Sequence, residues 1–358
     1  MIISFLLVLV PVSWILGFGI HASPLWIFAT SGLSIVPVAD RMRRATEQLA
    51  KRTGPAIGGL VTVAFGSFAE LILALFVLNH GDTEVVKAQI TGSIIGTSLL
   101  GLGVALIAGG LKRKKQTFDR ESAGSLGSLL ILSVVALLLP ALFDFTERRM
   151  LSAPNPAALD EKLSISVSVV LILVYVANLI YTLVTHRDVF KSQEEKDGST
   201  WSVWKTIAVL VGGTAIVAVE ADLVSGSLQA TSAQLELSSL FLGVIVLSVI
   251  GNAADIIAAV YFATQDRMGL VIGLCLGSSV QVAMVLAPAL VLISYFMGHP
   301  MNLIFSNPLD LIAIVATVFA VRSIVADGET NWFEGVLLVA VYVLIAMAFF
   351  FSTAGSNN

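Results

Sequence analysis

Apolar residues in this chain come in blocks of about 20, separated by short polar stretches. A helix of that length crosses a hydrocarbon core of about 30 Å. Eleven such blocks are expected, over 2–20, 24–38, 56–79, 86–110, 122–143, 163–185, 203–223, 238–263, 268–296, 304–325 and 332–352. The second is short and contains Pro37. The first lacks a positive n-region and is longer than a secretory h-region, so it reads as an uncleaved helix. The pattern predicts an all-α polytopic membrane protein of about 11 transmembrane helices.

Composition agrees. Apolar residues make up 57% of the 358, charged residues 12%, and mean hydropathy is +0.94. Soluble domains carry about a quarter charged residues, so a soluble globular domain is excluded. The net charge of -4 identifies no partner. No basic face is interleaved with aromatics, which argues against nucleic acid. The one cysteine, Cys275, lies inside an apolar block and supports neither a disulfide nor a cysteine metal site. No cofactor is expected, and a homo-oligomer is left open.

The basic residues orient the blocks. One set of alternate connections, with the adjoining span ends, holds Arg41, Arg43, Arg44, Lys51, Arg52, Lys112, Arg113, Lys114, Lys115, Arg120, Arg187, Lys191, Lys196, Lys205, Arg267 and Arg322. The other set holds Lys87, Arg148, Arg149 and Lys162. Such asymmetry marks the first side as cytoplasmic. It places the N-terminus inside a cell (inner) membrane and the C-terminus outside. The polar stretch 186–202 (HRDVFKSQEEKDGSTWS) becomes a cytoplasmic linker.

Sliding the chain by 185 residues reveals an internal repeat. Gly58, Val61, Gly66, Ala69, Ile72 and Ala74 fall on Gly243, Val246, Gly251, Ala254, Ile257 and Ala259, and Glu70 falls on Asp255. The register continues from Gly92-Ser93 to Gly277-Ser278. Each half holds five spans, and an odd number reverses direction, so the halves are inverted copies, a common build of secondary transporters. The expected division is an N-terminal helix at 1–22, a first inverted repeat at 23–185, the linker at 186–202 and a second repeat at 203–353.

Glu70 and Asp255 are read as the mid-span acids. A charge at the bilayer centre costs at least about 2.5–3.5 kcal/mol, so it needs a partner, a proton or an ion. One lone acid is as readily a protonated structural carboxyl; two at equivalent repeat positions, each four residues after a glycine, point to a site. Gly66 and Gly251 permit breaks that free backbone carbonyls. Hard cations want many oxygens. Candidate ligands beside the acids are Ser67, Asn252, Ser93, Ser278, Thr97 and Gln281, with Ser98 and Ser279 nearby. Small hydroxyls are also common helix-packing residues, whereas the Gln281 amide needs a polar partner. Two close acids hold protons until a divalent ion displaces them, and such competition with alternating access is sufficient for antiport.

These segments resemble the Ca²⁺/H⁺ exchanger family of the calcium/cation antiporter superfamily. The resemblance rests on SIVPVADRMRRATEQLAKRTGPAIGGL (34–60), AFGSFAELILALF (64–76), GSIIGTSLLGLG (92–103), the stretch from FLGVIVLSVIGNAADIIAAV through GSSVQVAMVLAPALVLI (241–293) and ADGETNWFEGVLLVAVYVLIAMAFFF (326–351). It implies one extra helix plus two inverted groups of five. It also implies that Glu70 and Asp255 bind Ca²⁺ and H⁺ in turn, as substrates. The family usually has Gly-Asn-Ala-Xaa-Glu in both motifs. Here Ser67 and Phe68 replace Asn and Ala, Asp255 replaces Glu, Ile256 stands at the usual His, and Thr97 stands where Asn is frequent. A site short of two amides and one methylene holds Ca²⁺ with more water, or suits Na⁺ or Mn²⁺.

Other readings are weaker. Na⁺/Ca²⁺ exchangers usually carry Pro before the acid, where this chain has Ala69 and Ala254. An intramembrane aspartyl protease would show Gly-Xaa-Gly-Asp. A serine-type enzyme would need a mid-span His, but His21, His80, His186 and His299 all lie at span ends or loops. A channel has no need of a proton-labile pair. The expectation is an antiporter, not an enzyme. The absence of a long N-terminal extension suits a bacterial or archaeal membrane.

Overall fold

The computed structural model describes residues 5–111, 113–146, 156–185, 201–305 and 307–354. Its helices are α1 (Leu6–Gly19), α2 (Pro24–Gly66), α3 (Phe68–Asn79), α4 (Thr83–Gly110), α5 (Arg120–Thr146), α6 (Pro156–Ile180), α7 (Val203–Leu235), α8 (Ser239–Thr264), α9 (Met268–Met297), α10 (Pro308–Val325) and α11 (Trp332–Ala354). Among the described residues, eight helices are long and apolar enough to cross a membrane: α4 to α11. Their ends follow ordinary capping chemistry. Asp119 accepts from Ser122 N–H at 2.7 Å, Ser202 Oγ from Lys205 N–H at 3.2 Å, and Asn307 Oδ1 from Leu309 N–H at 3.0 Å.

Burial sorts the helices. The core window of α4 is 83% buried, against 22% for α6 and α11. α4 is therefore the central post, and α6 and α11 lie at the rim. Large apolar side chains on the rim, such as Leu173 of α6 and Phe351 of α11, are exposed, which fits a lipid-facing surface.

The first half departs from expectation. A loop was anticipated between the second and third blocks, over 39–55; the residues are helical, and α2 runs 43 residues from Pro24 to Gly66. A straight helix of that length would span roughly 65 Å, twice a bilayer core. α2 is not straight. Arg43 and Phe65 line one small cavity, although 22 residues of straight helix would set them roughly 33 Å apart. The chain therefore bends back between them, in an interval that contains the Gly54-Pro55 step; prolines account for most sharp helix kinks.

The linker expected at 186–202 lies outside the described residues up to 200. Trp201 and Ser202 precede α7, with Ser202 as its N-cap. Also unexpected is a two-residue antiparallel pairing of β1 (Gln116–Thr117) with β2 (Glu329–Thr330).

Contacts between helix ends fall into two groups. At one end Trp201 N–H donates to Gln48 at 3.4 Å, Arg113 pairs with Asp266 at 3.4 Å, Lys115 pairs with Glu329, and β1 meets β2. At the other, Ser23 donates to Gln234 at 3.1 Å, Gln229 to Asp82 at 2.9 Å, Lys87 to Asn302 at 2.9 Å, and Leu303 N–H to Ser164 at 3.1 Å. The first group joins only connections from the basic-rich set, and the second only connections from the other. The alternation inferred from charge is thus also the alternation of tertiary contacts.

Candidate cation site

The two repeat acids meet. Glu70 and Asp255 line one cavity of about 20 Å³, together with Ser67, Gly66, Gly251 and Asn252. That volume is about one water-sized sphere. Glu70 is 3% exposed, and Gly251 lies against its side chain: a Cβ there would sit 3.6 Å from Glu70 Cγ.

Local sequence explains the placement of Glu70. The helix breaks at Ser67, whose φ of -107° and ψ of 27° leave the helical region. Glu70 then falls in the first turn of α3, at the positive end of a helix dipole. The break after Gly66 was expected. The matching break at Gly251 does not occur: α8 continues through it, with Asp255 well inside the helix. The second half loosens its helix elsewhere, in a π turn over Leu242–Leu247. Two further π turns, Gly96–Gly101 and Val282–Leu286, nearly superimpose on the 185-residue offset.

The offset also governs the polar contacts. Ser93 Oγ donates to Glu70 Oε1, and Ser278 Oγ donates to Asp255 Oδ2 at 3.1 Å. Each donor follows its acid by 23 residues. Asn252 Nδ2 donates to Ser93 Oγ at 3.0 Å and to Ser248 O at 2.8 Å. These bonds commit the amide nitrogen. The result is a chain from α8 through α4 to α3 that ties the carboxylate of one half to the amide of the other.

Two predicted ligands stand back from the cavity. Thr97 Oγ1 donates to Ser93 O at 2.8 Å and lies 2.6 Å from Ser279 Oγ, which also meets Ser98 Oγ at 2.6 Å. These hydroxyls fasten α4 to α9. The Gln281 amide rests on Gly66, with Oε1 and Nε2 at 3.2 and 3.3 Å from where a Cβ would be. It buttresses the break. Ser93 and Ser278 sit behind the carboxylates, and the remaining candidates, Glu70, Asp255, Ser67 and Asn252, line the cavity.

Three charged residues were misplaced by sequence reasoning. Arg43, assigned to a cytoplasmic loop, lines the cavity and acts electrostatically on Asp255, with Asp40 and Glu47 beside it. It pairs with Asp40 at 3.3 Å and with Glu47. The signal was available: 40, 43, 44 and 47 repeat at helical spacing. Glu70 and Asp255 are also not the only acids within the helices of the bundle. Glu220 is fully buried in α7 and accepts from Ser13 Oγ at 2.8 Å, which fastens α1 to the bundle. Asp310 is buried in α10.

No group of three or more His, Cys, Asp or Glu side chains suited to a metal occurs among the described residues. The arrangement supplies two carboxylates, an amide oxygen and a hydroxyl around a very small space. That suits a hard cation held partly by water and competing with protons for the same oxygens.

The chain is similar to known proteins over nearly its whole length. The profile of the sodium/calcium exchanger protein family matches residues 23–184 and 205–351. The chain is 39% identical over 362 residues to a Ca(2+)/H(+) antiporter of Aphanothece halophytica, covering 97% of this chain and 95% of the relative. It is 38% identical to the Ca(2+)/H(+) antiporter ChaA of Bacillus subtilis (strain 168), covering 95% and 96%. Among solved structures it resembles native YfkE, with TM-score 0.83, 34% identity and coverage of 98% and 99%. An H+/Ca2+ exchanger CAX matches in fold at TM-score 0.68 and 17% identity, covering 99% of this chain and 92% of that one. This chain therefore belongs to the sodium/calcium exchanger protein family.

Proposed function

We propose that the protein is a secondary antiporter that exchanges Ca²⁺ for H⁺ across a cell membrane at the Glu70–Asp255 site. The observation that carries this reading is the meeting of a buried and a half-buried carboxylate in one water-sized cavity, each bonded by a serine 23 residues further on. With both carboxyls protonated, the site is neutral and closed by hydrogen bonds. An arriving Ca²⁺ takes the carboxylate oxygens and the Asn252 carbonyl, and the carboxyl protons leave. Alternating access then carries either load, but not an empty charged site, because unpaired carboxylates at membrane depth are costly.

Two inverted five-helix halves behind an extra N-terminal helix give the architecture of this reading. The 185-residue offset shared by the acids, their serine donors and the π turns supports it. So does the sorting of helix-end contacts into two groups. The division into 23–185 and 203–353 parallels the two matched family stretches. The basic-rich end is cytoplasmic by the charge rule. In a Cys275→Ser background, a cysteine placed in 186–202 stays protected from an impermeant thiol reagent in sealed cells, and one near residue 356 is labelled. The reverse pattern would overturn the orientation.

Proteoliposomes test the function directly. Proton flux should follow Ca²⁺ ahead of Mn²⁺, Mg²⁺, Na⁺ and K⁺. Asp255→Glu is expected to raise Ca²⁺-driven flux at low Ca²⁺ several-fold. A Glu carboxylate reaches about one bond further and replaces a ligating water, and Ca²⁺ accepts the added direct oxygen more readily than Mg²⁺ does. Ser67→Asn, made alongside, restores an amide at the helix break without changing charge. A wild type that moves Na⁺ but not Ca²⁺, with the double variant inert to Ca²⁺, would refute the Ca²⁺ assignment.

A further inference from the structure

One charged residue that lines the cavity has no part in the exchange chemistry above. Arg43 is the only basic side chain in that lining among the described residues, and it shares the space of about 20 Å³ with Glu70 and Asp255. Of the charged side chains that act on Asp255, it has the largest effect, ahead of Glu47 and Asp40. Two carboxylates and a guanidinium border one water-sized space.

Arg43 is held loosely on its own helix. Its guanidinium pairs with Asp40 Oδ1 at 3.3 Å and with Glu47. The Asp40 carboxylate is shared, since Arg44 Nε donates to Oδ2 at the shorter distance of 2.9 Å. The Glu47 side chain is 47% exposed, and pairs so open to solvent contribute little. The Arg43 side chain is mostly covered, at 15% exposure. A guanidinium has five N–H donors, and Arg43 Nε is buried with no hydrogen-bond partner among the described residues. A buried charged donor left unfilled is costly. Acceptors that share its cavity are the carboxylates of Glu70 and Asp255. Asp255 receives one hydrogen bond among the described residues, from Ser278 to Oδ2.

We propose that Arg43 is a tethered cation of the exchange site, whose guanidinium moves from the Asp40–Glu47 clamp onto the carboxylate pair as Ca²⁺ leaves and returns as Ca²⁺ arrives. This deepens the exchange reading and rests on it. Between one load and the next the acids hold neither Ca²⁺ nor protons, and unpaired carboxylates at membrane depth are costly. The pair therefore keeps its ion unless another charge replaces it. Arg43 supplies that charge on a three-carbon stem, and its planar fork suits a carboxylate. It carries one positive charge, so a divalent ion at sufficient concentration displaces it. The consequence is a site of lowered Ca²⁺ affinity and fast release, which makes Arg43 a specificity-determining residue.

The test compares Arg43→Gln and Arg43→Lys with the wild type in the full chain. Equilibrium binding of radioactive Ca²⁺ in lipid nanodiscs is read as the part that Glu70→Gln abolishes. Arg43→Gln should lower the Kd about fivefold or more, because a fixed like charge is removed from beside the ion. In proteoliposomes it should lower both the half-saturating Ca²⁺ concentration and the maximal proton flux, since release becomes slow. Arg43→Lys keeps the charge and should stay within about threefold of wild type. Asp40→Asn with Glu47→Gln opens the clamp and should weaken Ca²⁺ binding, and the same pair should have a much smaller effect in the Arg43→Gln protein. A purely structural arginine behaves otherwise: Arg43→Gln would reduce yield or flux at an unchanged Kd. That result overturns the proposal, as does a clamp pair that acts equally with and without Arg43. Should Arg43→Gln not fold, the clamp pair still decides, because unchanged or tighter Ca²⁺ binding in it overturns the proposal. Failure of the exchange reading looks different. If only Arg43→Gln shows Glu70-dependent Ca²⁺ binding, the tethered cation stands and the wild type is not a Ca²⁺ exchanger; if neither protein shows it, both are overturned.

Discussion

Glu70→Gln and Asp255→Asn each reduce Ca²⁺-driven proton flux in proteoliposomes at least 100-fold, while the purified proteins elute and melt like the wild type. The structure explains why the loss falls on function and not on folding. Glu70 receives the Ser93 hydroxyl on Oε1, and the carbonyl oxygen of glutamine occupies the same place with nearly the same volume. Asp255 receives Ser278 on Oδ2 at 3.1 Å, and asparagine accepts that bond equally. What each variant loses is a negative charge within a cavity of about 20 Å³. In so small a space no third carboxylate can substitute. A 100-fold loss corresponds to about 2.8 kcal/mol, a modest demand on a carboxylate–cation contact away from bulk water. The variants should also lose the ability to release protons on Ca²⁺ addition, since an amide does not titrate. Either variant keeping a third of wild-type flux would show that the ion passes elsewhere.

The parts of the site legible in the sequence were those that break an apolar block. Glu70 and Asp255 stand out because charge is rare there, and the 185-residue offset brings Ser93 and Ser278 with them. Arg43 was hidden by the opposite effect. A run as polar as ADRMRRATEQLAKR reads as a loop by composition, although its acid–base spacing is that of a helix, and the structure keeps it helical inside α2. Glu220 was hidden by a span drawn too short. Hydropathy falls after residue 223, but α7 continues to Leu235. Its serines return hydrogen bonds to the backbone one turn back, as Ser227 does to Leu223 O at 2.6 Å, so polar residues continue the helix without exposing unpaired groups. The π turns carry no hydropathy signal at all. They re-aim side chains by one extra residue per turn and leave the apolar pattern unchanged.

The repeat makes one further pair of outcomes unequal. Gly92 and Gly277 are sequence equivalents, each directly before the serine that holds an acid. Gly92→Ala should prevent recovery of folded protein, whereas Gly277→Ala should leave folding and exchange near wild type. At Gly92 a Cβ would lie 1.9 Å from the Val244 carbonyl oxygen and 2.7 Å from Ser248 Cβ. The obstacle is backbone in the π turn of α8, whose Val244 carbonyl is also bonded by Ser248. It cannot rotate away as a side-chain end would. Close passage of helices over small residues is a common device for packing in membranes. Here it sets the approach of α4 to α8, and with it the bond from Asn252 to Ser93. Opening the crossing enough for a methyl group separates the two halves of the site, with an expected cost of about 4 kcal/mol or more. Gly277 meets nothing within 4 Å, and alanine in a helix is favoured over glycine by about 1 kcal/mol. Detergent-solubilised yield and size-exclusion profiles of the two variants decide the matter. Equal behaviour, in either direction, would mean that α4 and α8 do not cross at Gly92 as described.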